Sequence, residues 1–148
     1  FVRGKNVANS SITGAACARE VQELHDFFQA WLEGSLPPTD TAFARFTEST
    51  AAGFTLIGPD GSVAGRDETV TWIRAAHGTR RGFKLWTDDH TLRAAGADWA
   101  LCTYREWQTR DGVTTVRIST ALLVADSTAP AGLSWMHVHE TWLAGQGG

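Results

Sequence analysis

Hydrophobic positions recur with helical spacing in the first half of the chain and alternate with period two in the second. From Ala15 to Glu33, Val21, Leu24, Phe28, Trp31 and Leu32 share one stripe, Phe27 widens it and Gly34 supplies a stop, which predicts a long amphipathic helix. After Pro37 and Pro38, Thr39 or Asp40 caps a shorter helix carrying Phe43 and Phe46. Residues 53–57 alternate like a strand. Gly58-Pro59-Asp60-Gly61 is a turn, because proline presets φ and glycine accepts positive φ, so residues 62–64 fold back as a short hairpin arm. Asp67 heads a third helix through His77, apolar at Val70, Ile73 and Ala76 with Trp72 beside them, and Gly78 ends it. A basic loop over 79–82, expected to be mobile, follows.

Beyond it lie four alternating stretches, 83–94, 98–109, 113–124 and 133–142, separated by Ala95-Gly96-Ala97, by the hairpin signal Asp111-Gly112 and by residues 126–132. Four strands in series without a helical crossover predict an antiparallel meander. Helices first and strands afterwards make an α+β pattern, in which the helices cover one face of the sheet.

The last strand is unusual on both faces. Alternation places Trp135, His137, His139 and Thr141 on one side and Met136, Val138, Glu140 and Trp142 on the other, so each side mixes large apolar groups with titratable ones. A strand wetted on one side shows a cleaner division, and something is expected to pack on each face. The Trp135 face is read as the convex side of the sheet and as the contact of a homodimer.

Composition narrows the classes. At 148 residues and 43% hydrophobic the chain is one domain's worth of core. Residues 1–14, small and polar, are read as a flexible arm and 15–144 as a single domain. Net charge is −3, from 13 basic and 16 acidic residues, with no basic run, which argues against nucleic acid and anionic membrane. No stretch approaches the ~20 apolar residues of a membrane span. Cys17 and Cys102 have no framework spacing, so free thiols in a reducing, cytoplasmic setting are expected.

The order helix, helix, Phe54-Thr-Leu-Ile-Gly-Pro-Asp-Gly61, helix, meander, closing on Trp135-x-His137-x-His139-x-Thr141, resembles the nuclear transport factor 2-like superfamily, which includes SnoaL-like and ketosteroid-isomerase-like proteins. Asp98-Trp-Ala-Leu-Cys-Thr-Tyr104 is a second similar stretch, and the terminal motif resembles the end of the association domain of calcium/calmodulin-dependent protein kinase II. The resemblance implies a cystatin-like cone, a curved antiparallel sheet wrapped around the N-terminal helices with a pocket open at one end, and frequent dimers through the outer sheet face. It implies no particular reaction, because this fold hosts enzymes and scaffolds alike.

Read through that resemblance, pocket positions fall at Glu106 and Glu140, with Tyr104 beside them. Two carboxylates and a phenol in an apolar cavity suit general acid and base chemistry, of the kind an isomerase or cyclase acting on a small apolar carbonyl compound needs. The alternatives are that Glu106 is consumed by an arginine such as Arg117, and that the pocket belongs to a non-catalytic ligand-binding or assembly module. Cys102 shares the face of Tyr104 and Glu106, Met136 shares that of Glu140, and Trp31 and Trp72 offer flat walls to a ligand. Arg117 is the cation that would moderate Glu140. Ketosteroid isomerases of this fold place a tyrosine on the first helix, where this chain has Phe27, Phe28 and Trp31 and only His25 as an ionisable group facing the sheet. Asp88-Asp89-His90 reads as a solvated strand end, because alternation separates Asp89 from its neighbours. His137-Val-His139 presents two imidazoles on one face, but two ligands are not a metal site, and packing or interface histidines are the expectation. No metal and no cofactor are expected.

Overall fold

The computed structural model describes residues 12–143. Helix α1 (Gly14–Glu33) begins where the Thr13 hydroxyl accepts the Ala16 N–H at 3.1 Å and ends at Gly34, whose φ of 89° lets it close the helix with its own N–H. Helix α2 (Asp40–Thr47) is capped by Thr39 and α3 (Arg66–Ala75) by a Glu68 carboxylate that accepts the Gly65 N–H. The strands are β1 (Thr50–Ile57), β2 (Val63–Gly65), β3 (Lys84–Ala95), β4 (Trp99–Arg110), β5 (Val113–Ala125) and β6 (Leu133–Trp142). These are the expected elements, with α3 stopping two residues early, at Ala75. The loop over 79–82 is pinned rather than loose: the Gly78 and Arg80 N–H groups donate to the carbonyls of Trp31 and Leu32.

The six strands form one curled sheet in the order β2-β1-β6-β5-β4-β3. Pairing within the meander is antiparallel throughout, as expected, but β1 joins β6 in parallel, so the sheet is mixed. Helix α1 lies across the concave side against β3 and β4. Its stripe closes on α2, with Trp31 between Phe27 and Phe43 at ring distances of 5.7 and 4.7 Å. The fold is thus the α+β cone that the sequence predicted.

Two β-bulges alter which side chains face inward. Between Leu122 and Leu123 the register of β5 with β6 slips by one, leaving Met136 unpaired. Trp135 therefore does not share the outer face with His137; it turns inward, 3% exposed, and its Nε1–H donates to Glu20 at 2.8 Å. That corrects its assignment to a dimer contact. In β3 the register slips between Asp88 and Thr91 at Asp89, whose φ is 54°. Asp88 consequently pairs with Arg105, while the ring of His90 lies 6.3 Å from that of Tyr104, so the two do not share a face as simple alternation required.

A buried ion pair went unanticipated. Glu20 is fully buried and accepts from both terminal nitrogens of Arg45, at 3.3 and 2.8 Å, as well as from Trp135. His25 is thus not the only ionisable group that α1 turns inward.

Candidate functional site

The concave side of the sheet, α1 and α3 enclose a chamber of about 170 Å³ whose wall is mostly apolar, including Leu24, Phe28, Phe54, Ile73, Phe83 and Val138. Its polar groups include His25 from α1, Thr69 from α3, Arg80 from the loop before β3, Tyr104, Glu106 and Gln108 from β4, Arg117 from β5 and Glu140 from β6. Sheet register gathers those on the strands, since Glu106 lies opposite Arg117, Tyr104 opposite Ser119, and Ser119 opposite Glu140. Leu56, Thr69, Trp72, Arg117 and Glu140 also line an outer chamber of about 610 Å³, which adds Asp60, Glu68 and Trp142. Arg117 and Glu140 accordingly stand at the neck between the two.

The two carboxylates differ in state. Glu106 is flanked by His25 Nε2 at 3.0 Å and by the Gln108 amide at 2.6 Å, so each oxygen has a partner. Burial alone would raise its pKa, but the hydrogen bond and charge of His25, with help from Arg117 and Gln108, bring it down to about 2. Burial likewise disfavours a charged His25, yet Glu106 outweighs that and the imidazole pKa rises. Glu140 follows the other course. Burial and the negative charge of Glu106 raise it to about 7, although Arg117 donates to it from Nη1 at 3.3 Å. Arg117 also lies over the Trp142 ring at 4.7 Å, and its Nε is buried without an acceptor among the described residues. Tyr104 is held as a neutral phenol, its pKa pushed well up by burial and then by the charges of Glu106 and Glu140.

Of the residues singled out in the sequence, Glu106, Glu140, Tyr104, Arg117 and Trp72 line the chamber, Trp72 at its exposed rim. Three do not. Trp31 is buried in the core with its Nε1–H donated to the Ile73 carbonyl at 2.8 Å. Cys102 faces α1, where its thiol meets that of Cys17, and both are free. Met136 is displaced by the bulge and packs toward Gly53. The partner of Glu106 is His25 rather than an arginine, and Gln108 and Arg80 were not anticipated as chamber residues. The spacing Glu106-x-Gln108 on one strand face was the available signal for Gln108; for Arg80 there was none, because a loop position carries no periodicity. Among the described residues no group of three or more potential ligands is placed to hold a metal, and no helix is long and apolar enough to cross a membrane.

Residues 17–144 match the family described as sucrose-6-phosphate phosphohydrolase C-terminal. Sucrose-phosphatase 1 of Nicotiana tabacum is 28% identical over 131 residues, covering 86% of this chain and 31% of that protein. Sucrose-phosphatase 2 of the same plant is 29% identical with the same coverage. The chain thus spans about a third of the length of the curated relatives it matches. Among solved structures, a nuclear transport factor 2-like protein of unknown function from Pseudomonas aeruginosa superposes with a TM-score of 0.77 at 30% identity, covering 86% of this chain and 98% of the other. The calcium/calmodulin-dependent protein kinase II hub of S. rosetta superposes at 0.65 with 18% identity, over 87% of this chain and 95% of that one, a likeness of fold.

Proposed function

Because the chain belongs to the sucrose-6-phosphate phosphohydrolase C-terminal family and has the nuclear transport factor 2-like fold, we propose that it is a small-molecule-binding module rather than a phosphatase centre. The observation that carries this reading is the pairing inside the chamber. Glu106 has both oxygens engaged and is held as a carboxylate, so the two-carboxylate acid and base couple an isomerase would use is not assembled. What remains is a small apolar enclosure with a few fixed polar groups, the usual form of a ligand site. The sugar phosphate named by the plant relatives is a poor match for walls of Leu24, Phe28, Phe54 and Phe83. In relatives three times as long, such a module would serve as an accessory domain. Two free thiols, Cys17 and Cys102, accord with a cytoplasmic setting.

The partner surface is proposed to be the outer sheet face, where Leu101, Ile118 and Leu122 are half-buried yet outside the main core cluster, and Trp86 stacks on Trp107 at 5.9 Å. A homodimer through this face would cover them.

One observation favours a catalytic reading instead: Glu140, at about 7, is poised for proton transfer near neutrality. A thermal-shift screen of small ketones and aromatic compounds, followed by measurement of α-proton exchange on any hit, separates the two. Binding without exchange supports the module. Exchange on an enolisable ketone that falls about 10²-fold or more in Glu140→Gln supports an isomerase or cyclase. Stabilisation by no compound would remove both readings.

A further inference from the structure

Charge is unevenly distributed around the chamber. His25, Arg80 and Arg117 contribute three cationic groups against two carboxylates, Glu106 and Glu140. His25 and Glu106 neutralise each other at 3.0 Å, which leaves two guanidinium groups in the wall, Arg80 and Arg117, against the one further carboxylate of Glu140, and only Arg117 is bonded to it. Arg80 forms no ion pair with a described residue; it lies over the Phe83 ring at 5.2 Å. Burial, and then the like charges of Arg110 and Arg117, disfavour its charged form, and the attraction of Glu106 is the smallest influence and only partly opposes them. Arg117 holds Glu140 through one nitrogen while its Nε has no acceptor among the described residues.

We propose that the ligand of this chamber is a small amphiphilic carboxylate, its apolar body against Phe28, Phe54 and Val138 and its head group on Arg80 and Arg117. The inference rests on the binding-module reading and adds the ligand's chemical class to it. The apolar wall selects the body, since the lining between the aromatic and aliphatic side chains offers little for a polyol to bond. The guanidinium pair selects the head, because a carboxylate matches the fork of arginine donors. The outer chamber carries the carboxylates Asp60 and Glu68, which repel an anion from that side and keep the head at the neck. A monoanion suits the site better than a phosphate dianion, because Glu106 remains ionised within the same wall and Glu140 must be protonated to sit beside the head without repulsion. In that state Glu140 donates a hydrogen bond to the ligand's oxygen.

Titration calorimetry with three probes of one shape, phenylacetate, phenylacetamide and benzylphosphonate, at mildly acidic pH tests this. Phenylacetate is expected to bind about tenfold or more tighter than phenylacetamide. Arg80→Gln is expected to remove most of that preference while leaving amide binding in place, which also shows that the chamber is intact in the variant. Equal affinity for acid and amide, or an undiminished preference in Arg80→Gln, would overturn the inference and leave the binding module standing. Tighter binding of benzylphosphonate than of phenylacetate would overturn the carboxylate assignment. If no probe binds at millimolar concentration, both the ligand class and the module reading fall.

Discussion

The ring of His25 is held between two acceptors, the Val21 carbonyl 2.7 Å from Nδ1 and the Glu106 carboxylate 3.0 Å from Nε2. An imidazole can satisfy both only by donating from both nitrogens, which makes it an imidazolium paired with a carboxylate in a nearly dry site. Stability should depend on pH accordingly. Glu106, depressed to about 2 from 4.5, stabilises the fold above pH 4.5 and loses that contribution as pH falls toward 2. His25, raised from 6.5, stabilises fully below 6.5 and loses its contribution as pH rises through the folded value. Glu140, raised from 4.5 to about 7, is more easily ionised unfolded, so it too lowers stability as pH rises between those values. Thermal unfolding should therefore peak near pH 5 and decline through neutrality. A melting temperature that climbs from pH 5 to 8 would contradict the pair.

Removing one member of that pair should be expensive. Glu106→Gln keeps the shape and an acceptor but removes the charge facing His25, and a loss of about 1.5–3 kcal/mol is expected from denaturant unfolding, the range for a hydrogen bond to a charged group. The same variant should lose the acid limb of the stability profile. A variant as stable as the parent at pH 5 would mean that His25 is neutral.

The second buried acid, held behind the chamber wall through Trp135, predicts a comparable effect. Trp135→Phe keeps a smaller aromatic ring but deletes the N–H that reaches Glu20, so the lost hydrogen bond alone should cost about 1.5–3 kcal/mol. Glu20→Ala leaves Arg45 without its bidentate partner and should cost about 3–5 kcal/mol. Urea midpoints of the two variants check this, and the alanine variant should be the weaker.

Which of these contacts could be read from the chain follows from how each is encoded. The helices and the meander are local: the stripe from Val21 to Leu32, the Thr39 cap and Asp111-Gly112 each specify their own conformation, and the structure has them. Glu106 and Glu140 are expected at the pocket from alternation with the family resemblance, and both line the chamber; the slip in β6 falls at Met136, so Val138 and Glu140 keep the face they share. Trp135 and His90 were misplaced because a bulge is settled by the partner strand's register, which alternation within one strand does not contain. The parallel pairing of β1 with β6 is likewise a tertiary choice. The burial of Glu20 is not legible locally, since its partners Arg45 and Trp135 come from distant parts of the chain.

For the outer face, the expected state is a dimer at micromolar protein, checked by light scattering. Leu122→Arg places an unpaired cation at the half-buried centre of that face, beside His137 across the strand pair, and should shift the mass to that of a monomer without unfolding the chain. A parent protein of monomer mass would end the assignment.

The neck residues carry the last prediction. Glu140 is faced by Arg117 from β5, Glu106 from β4 and His25 from α1, and across the outer chamber by Asp60 and Glu68. With its carboxyl near 7, it is mostly protonated at mildly acidic pH and mostly ionised at mildly alkaline pH. An anionic ligand on Arg117 should therefore bind better at the acid end, where Glu140 donates to it, and weaken as pH rises through about 7, where Glu140 competes for the same guanidinium. Glu140→Gln fixes a neutral side chain in that place. It should abolish the pH dependence across neutrality while keeping the affinity of the acid form, since the amide can still donate. Calorimetry with phenylacetate from about pH 5.5 to 8 checks both limbs, the parent losing roughly tenfold and the variant staying level. A parallel slope in parent and variant would place the titration elsewhere, with His25 the remaining candidate on the chamber wall.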